Sequence, residues 1–325
     1  MGKFLNQLTP SEFLIFPTDS LTSSPWYFGG DLSQKIFSKI TTHIPLKEIF
    51  RIFVGVQTSK DSVYFLYDCQ EGESTTKGYS QELECNVEIE NDLLKPLLMG
   101  DSFHRYDRLD SELRVLFPYY QGEDSKGNAK MYLYEVSTLK EKFPKGYAYL
   151  KKCEKVLRAR EKGRFDNEKW YQFGRAQGIS AGGVEKLLCP DICEKMQFSW
   201  DRQGEFYFTT TIYGYIKNEN FENLDYRFLL AILNSELTWW YLSQVSSVMR
   251  GGFYRNKPAY MQDFSIPNLS AKEQEPFIKL ADKILSLKDS NPQADTAMLE
   301  SQINTLVYSL YGLSEEEIKI VEGER

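Results

Sequence analysis

The stretch Tyr147-Ala-Tyr-Leu-Lys-Lys-Cys-Glu-Lys-Val-Leu-Arg-Ala-Arg-Glu-Lys162 follows shortly after Lys130-Met-Tyr-Leu-Tyr-Glu-Val136, and the change of period between the two decides the fold class. The earlier run is rich in Tyr, Leu and Val, the composition of a pleated strand. In the later run Leu150, Cys153, Val156 and Leu157 fall on one helical stripe, with the bases largely off it. A strand-rich N-terminal part with a basic helix, followed by a helical C-terminal part, implies an α+β protein.

Toward the N-terminus, Ile49-Phe-Arg-Ile-Phe-Val-Gly-Val-Gln57 and Ser62-Val-Tyr-Phe-Leu-Tyr67 flank Thr58-Ser-Lys-Asp61 and read as a hairpin. Glu112-Leu-Arg-Val-Leu-Phe-Pro-Tyr119 and Lys130 to Val136 flank a turn-rich segment and read as a second. Toward the C-terminus, Lys169 to Gly183 is a loop of Gly, Arg and aromatics, and Glu205-Phe-Tyr-Phe-Thr-Thr-Thr-Ile-Tyr213 alternates as one strand. Asp225 opens a helix bearing Leu229, Leu230, Ile232, Leu233, Leu237, Trp240 and Tyr241, apolar on much of its circumference. Ser270-Ala-Lys-Glu273 is a capping box ahead of Phe277, Leu280, Ala281, Ile284 and Leu285. A helix carrying Leu299, Ile303, Leu306, Val307 and Leu310 stops at Gly312, and Ser314-Glu-Glu-Glu317 caps a short last one.

The 325 residues are 42% hydrophobic and 26% charged, which supports a sizeable core and excludes global disorder. The five cysteines are odd in number in a long chain, so no disulfide framework is expected. The first ten residues lack the apolar core of an export signal, and the most apolar run, Phe228 to Leu242, is too short and too polar to span a bilayer. A reduced, cytoplasmic protein without a membrane segment is expected.

The net charge is -7, yet Lys140 to Arg175 holds twelve bases against five acids, net +7. Lys60 to Asp92 holds nine acids against two bases, net -7. Such separation suits a protein with one anion-facing side, or simply a solvated helix face. Two clusters could carry binding. In Trp170-Tyr-Gln-Phe-Gly-Arg175-Ala-Gln177, Arg and Gln are the types that read guanine and adenine edges, and Trp and Tyr can stack on a base. These aromatics could equally be core between helix and sheet. In Arg250-Gly-Gly-Phe-Tyr-Arg255 the glycines allow close backbone approach to a phosphate, or mark an ordinary exposed loop.

Catalytic constellations are missing. The two histidines, His43 and His104, have no metal-ligand spacing, and Cys189-Pro-Asp-Ile-Cys193 lacks two further zinc ligands. There is no Walker loop and no Gly-x-Ser-x-Gly elbow. The pairs Gly29-Gly30, Gly182-Gly183 and Gly251-Gly252 lack the strand–glycine–helix context of a dinucleotide site. Glu317-Ile-Lys319 has no acidic partner for a nuclease.

The order of short motifs resembles the TaqI-like C-terminal specificity domain, the target-recognition domain of adenine-specific DNA methyltransferases and type IIG restriction-modification enzymes. The matching stretches are Val54-Gly-Val-Gln-Thr58, Leu94-Lys-Pro-Leu-Leu-Met-Gly-Asp101 with Arg105-Tyr106, Leu116-Phe-Pro-Tyr119 and Tyr147-Ala-Tyr-Leu150 with Leu157-Arg-Ala-Arg160. Trp170 to Arg175, Thr211-Ile-Tyr-Gly214, Leu230-Ala-Ile-Leu-Asn-Ser235, Arg250-Gly-Gly-Phe-Tyr254, Ile266-Pro267 and Leu306-Val-Tyr-Ser-Leu-Tyr-Gly312 follow in order. Asn304 departs from the acidic residue that such tails often show.

The resemblance implies a target-recognition domain over residues 1–268 and a C-terminal helical extension over 269–325 packed on it. It implies double-stranded DNA and a methyltransferase domain or subunit as partners. Lys151, Lys152, Arg158, Lys162, Arg164 and Lys169 are then expected on the DNA backbone. Trp170, Tyr171, Arg175, Gln177, Arg250, Phe253, Tyr254 and Arg255 are expected in base readout or stacking. No catalytic residue, metal or cofactor is expected in this chain. The Asn-Pro-Pro-Tyr tetrapeptide of the methyltransferases is missing, and S-adenosylmethionine is expected in the methyltransferase domain. The alternatives are a module binding only its catalytic partner, or a methyltransferase or nuclease with its activity in this chain.

Overall fold

The computed structural model describes residues 30–323. The beginning of the chain read above for an export signal, and Gly29 of the first glycine pair, lie outside the described residues. Two sheets organise the rest. A six-stranded sheet runs in the order Tyr207–Phe208, Leu94–Leu98, Arg114–Leu116, Phe65–Glu71, Thr75–Ser80 and Cys85–Glu90. All its pairings are antiparallel except that of Tyr207–Phe208 with Leu94–Leu98. A four-stranded antiparallel sheet runs Ser199–Asp201, Lys186–Pro190, Ile212–Lys217 and Phe50–Val54. With helices on both, the fold is α+β.

The six-stranded sheet buries Leu66, Ile89, Leu93 and Leu116 against Leu139, Leu150 and Leu157 of the helices that follow it. The four-stranded sheet shares a second core with helices Asp31–Thr41, Tyr226–Leu233, Glu236–Val245, Ala271–Ser290, Ala297–Leu310 and Glu315–Val321. The helices after 269 therefore bury their apolar faces against elements that precede them.

Strand pairing departs from expectation in three places and a helix in a fourth. Phe50–Val54 and Phe65–Glu71 are not a hairpin. The first pairs with Ile212–Lys217, the second with Thr75–Ser80 and Arg114–Leu116, and Asp61–Tyr64 between them is a helical turn. The second hairpin exists but is shifted: its strands are Tyr119–Glu123 and Ala129–Leu133, while Arg114–Leu116 joins the six-stranded sheet. Its turn is built by Asp124, whose Oδ1 accepts the Lys126 and Asn128 N–H groups. The run Glu205 to Tyr213 is split between the two sheets at Thr209–Thr211. The helix opened by Asp225 breaks at Asn234, and Ser235 caps a new one from Glu236.

Local capping signals hold. Both capping boxes form, at Ser270/Glu273 and Ser314/Glu317, and Gly312 takes φ 62° after the Ala297–Leu310 helix. Asn304 also finds its use there: its Oδ1 accepts the Glu236 N–H at 3.0 Å, satisfying a helix N-terminus.

One ion pair is fully inside. Lys186 Nζ lies 2.6 Å from Asp201 Oδ2, with side chains 0% and 2% exposed. The same carboxylate accepts the Glu205 and Phe206 N–H groups, and burial pulls the Lys186 ammonium below its usual range. Asp201→Ala removes the only ion partner of Lys186 among the described residues, leaving the ammonium just the Val184 carbonyl at 3.2 Å, and strips two backbone donors of their acceptor. It should cost about 3–5 kcal/mol, the size typical of breaking a buried pair, measured by urea denaturation. An unchanged denaturation midpoint would mean that water reaches Lys186.

Candidate nucleic-acid interface

The basic segment is not one helix. It is Pro144–Lys152, a break at Cys153, then Glu154–Gly163. Helical geometry ends at Arg160, with ψ 144°, and Glu161 and Lys162 are left-handed at φ 46° and 60°. Lys162 therefore sits beyond the helical turns that carry Lys151, Lys152 and Arg158.

The reason for this ending is Arg160, which is 5% exposed. Its Nε donates to the Leu157 carbonyl at 2.9 Å, Nη1 to Thr58 at 2.6 Å, and Nη2 to Trp170 and Gln172 at 2.7 and 2.8 Å. The guanidinium carbon lies 4.2 Å from the Phe165 ring centroid. The side chain thus ties the helix end, the Gln57–Ser59 segment and the Trp170 loop together.

Trp170 and Tyr171 are 4% and 3% exposed. Tyr64 donates its hydroxyl to the Tyr171 carbonyl, and the Tyr171 hydroxyl donates to Tyr134. Phe173 packs edge-on against Tyr64, Phe117 and Tyr119. These aromatics are core between helix and sheet, and base stacking is closed to Trp170 and Tyr171 in this conformation. What they do is place the residues that follow.

Beyond Phe173 the chain runs beside the Val54–Thr58 motif. The Gly174 and Arg175 N–H groups donate to Thr58 and Gln57 carbonyls, both at 3.1 Å. Gly178 is left-handed, φ 72°, and a Cβ there would stand 2.6 Å from the Gly55 carbonyl carbon. That proximity requires glycine. The segment Gly174–Ser180 so becomes a ridge between two clefts. One, about 550 Å³, is lined by Lys130, Arg164, Phe165, Arg175, Ala176 and Ser180 among others. The other, about 610 Å³, is lined by Arg51, Phe53, Ala176, Gln177, Ser180 and Tyr213 among others. Arg175 faces the first cleft and Gln177 the second.

The second loop lies beside the second cleft. Arg255 Nε donates to Asp191 Oδ1 at 3.1 Å and its Nη2 to Asp191 Oδ2. Asp191 follows the Lys186–Pro190 strand and its N–H donates to the Thr211 carbonyl at 2.9 Å, two residues from Tyr213 in the wall of the second cleft. Phe253 and Tyr254 are half-buried, Tyr254 packing edge-on against Trp239. Arg250 is exposed at the turn tip, followed by left-handed Gly251 and Gly252, and its side chain has no partner among the described residues.

The expected backbone contacts divide. Lys152, Lys162 and Lys169 are exposed, and their ammonium groups have no ion pair among the described residues. Lys151 pairs with Glu154. Arg158 pairs with Glu154 and Asp166 at 2.8 and 3.1 Å and lies over Trp170. Arg164 pairs with Glu161 at 3.1 Å. Sequence reasoning missed Arg160, Glu161, Arg51 and Lys130. Arg51 had one signal, a charge placed between Phe50 and Ile52 in an otherwise apolar strand. Among the described residues no group of three or more His, Cys, Asp or Glu is placed to hold a metal. All five cysteines are free thiols, and no described helix is long and apolar enough to cross a membrane.

Residues 118–266, which hold the ridge, both loops and the basic segment, match the family described as the TaqI-like C-terminal specificity domain. That span is similar to a TaqI-like specificity domain. Over 269 residues the chain is 22% identical to the type II restriction enzyme and methyltransferase RM.Eco57I of Escherichia coli, covering 78% of this chain and 26% of that protein. It is 27% identical over 179 residues to the type II methyltransferase M.XhoI of Xanthomonas vasicola, covering 55% of this chain and 30% of the relative. It is 26% identical over 181 residues to M.PaeR7I of Pseudomonas aeruginosa, covering 56% and 29%. The chain thus spans less than a third of the length of these relatives. Among solved structures, the type IIG restriction endonuclease BpuSI aligns with a TM-score of 0.42 at 12% identity, over 87% of this chain and 34% of that one.

If Arg160 is the tie described, Arg160→Met should lower the melting temperature, because four carbonyls lose their donor while the aliphatic bulk is kept. Increased proteolysis should appear first within Phe165–Gly178. A melt equal to wild type would show that the loop holds itself.

Proposed function

We propose that this specificity domain reads a duplex DNA sequence for an adenine-specific methyltransferase or type IIG restriction-modification enzyme. One observation carries the reading: the Gly174–Ser180 ridge stands between two clefts, carries Arg175 and Gln177, and is rimmed by Lys130, Arg164 and Arg51. A ridge with side chains aimed to either side suits entry into a groove, and cations on its flanks suit the two phosphate backbones. Relatives that are type II methyltransferases and restriction enzymes support the same reading. On it, S-adenosylmethionine and methyl transfer belong to a methyltransferase domain or subunit that works with this chain, in the cytoplasm where the DNA is.

Within this reading the free lysines position and the ridge reads. Lys142, Lys152, Lys155, Lys162 and Lys169 have unpaired ammonium groups among the described residues. If all five meet phosphates, log K for duplex DNA should fall with log salt at a slope of about -4 to -5. A titration without salt dependence would remove the electrostatic part of the reading. Lys162→Ala should weaken binding to every sequence and flatten the slope by about 1. Arg175→Ala should instead cost roughly 1–3 kcal/mol on the preferred sequence and change the base pair chosen there. Selection from a randomised duplex library separates the two, since a uniform loss in both variants would place Arg175 among the phosphate contacts.

A further inference from the structure

Arg175 is held from one side only. Its Nη1 donates to Glu161 Oε1 at 2.6 Å and to the Gly174 carbonyl at 2.7 Å. Its Nε and Nη2 have no partner among the described residues, and the side chain is 41% exposed. The Glu161 carboxylate is itself fixed. Oε1 also accepts the Ser59 hydroxyl at 2.9 Å, and Oε2 accepts Arg164 at 3.1 Å. Arg175 and Ser59 hold the Glu161 carboxyl below the usual carboxylate range, so it stays charged at neutral pH.

Three non-glycine residues with positive φ meet at this point: Ser59 at 60°, Glu161 at 46° and Lys162 at 60°. Left-handed geometry is unfavourable for such side chains and persists where the surroundings impose it. Here Arg160 imposes it, because its clamp turns the chain and swings Glu161 toward the ridge.

A guanidinium can present its Nε/Nη2 edge as two parallel donors, the arrangement that pairs with the O6 and N7 acceptors of guanine. A long, flexible arginine gives discrimination only if that edge is held before DNA arrives. Resting on the DNA-reading function above, we propose that Glu161 is a positioning residue for specificity: it anchors Nη1 of Arg175 and leaves the Nε/Nη2 edge free to pair with a guanine in the target. Glu161 does not touch the base. It fixes the rotamer of the residue that does.

The test uses two near-isosteric variants of the full chain, Glu161→Gln and Arg175→Lys, in selection from a randomised duplex library, with melting temperatures recorded alongside. Arg175→Lys keeps the charge and the reach to Glu161 but has no second donor edge. It should lose about tenfold of the preference at one base pair. Glu161→Gln keeps the bond to Ser59 and a neutral acceptor for Arg175. It should lose preference at that same base pair, by a smaller factor, with affinity for random duplex not reduced and the melting temperature unchanged. Loss of preference spread over all positions, or a lowered melt with uniform loss of affinity, would make Glu161 a structural strut and overturn the inference. Unchanged preference in Glu161→Gln beside an altered Arg175→Lys would overturn it while leaving the DNA-reading function standing. A wild-type chain without any sequence preference would take down both.

Discussion

Arg160 places a full positive charge inside the protein with no ion pair to it among the described residues, and the Gly174–Ser180 ridge is arranged around that fact. Moving an unpaired ion out of water is strongly unfavourable. Four backbone carbonyls and the face of Phe165 offset it here. Because the acceptors come from three separate segments, the clamp works only if the helix end, the Val54–Thr58 motif and the Trp170 loop meet in one register. A slip of one residue in the loop would turn a carbonyl away and leave the charge uncovered. Carbonyl dipoles screen the charge but do not cancel it, so Arg160 still adds to the positive potential on the ridge side.

The opposite charges of Lys60–Asp92 and Lys140–Arg175 turn out to be partly two sides of one contact. The Glu90 carboxylate accepts the Lys145 and Gly146 N–H groups at the start of the Pro144–Lys152 helix. Glu88 also pairs with Lys145. Acids at a helix N-terminus meet its partial positive charge favourably. The acidic sheet edge therefore holds Lys145 and the start of the Pro144–Lys152 helix, and most of the unpaired lysines, Lys152, Lys155, Lys162 and Lys169, come after that contact. Counting charges along the sequence shows the second half of this arrangement, the excess of bases. The first half needs the pairing of Cys85–Glu90 with the helix, which no local pattern shows.

What was legible follows the range of the interaction. Caps were legible because a capping box spans four residues, and both boxes form. Helix and strand periods were legible for the same reason. Strand partners were not: alternation in Phe50–Val54 tells which side chains share a face, but the strand lies against Ile212–Lys217, more than 150 residues on. Thr209–Thr211 looked like strand because threonine is β-favouring, yet the Phe208 carbonyl is turned to Val56 and the chain changes sheets there. In the site, the Trp170–Gln177 stretch was legible as a unit, while the roles inside it were not. Large aromatics suit a core and a stacking surface equally well, and here the core takes Trp170, Tyr171 and Phe173. Arg160 and Glu161 were invisible as functional residues because a helical pattern runs straight through them, and only the clamp shows that the helix stops.

The two kinds of cation behave differently across Lys140–Arg175, and chemistry explains the division. Each of its arginines, 158, 160, 164 and 175, holds at least one hydrogen bond within the protein. Six of its lysines, 140, 142, 152, 155, 162 and 169, hold none through the side chain among the described residues, Lys140 resting over the Tyr147 ring instead. A planar guanidinium has five donors in a fixed fork, so it can anchor to the protein by one edge and keep another free. An ammonium is a compact, well-hydrated charge that gains little from a fixed partner at the surface. The lysines suit long-range, sequence-blind attraction of a polyanion, which needs charge but no fixed orientation. The arginines suit recognition at contact distance, where orientation decides. Encounter and readout can thus be served by different residues on one short segment, with the clamp at Arg160 keeping the ridge arginine in place.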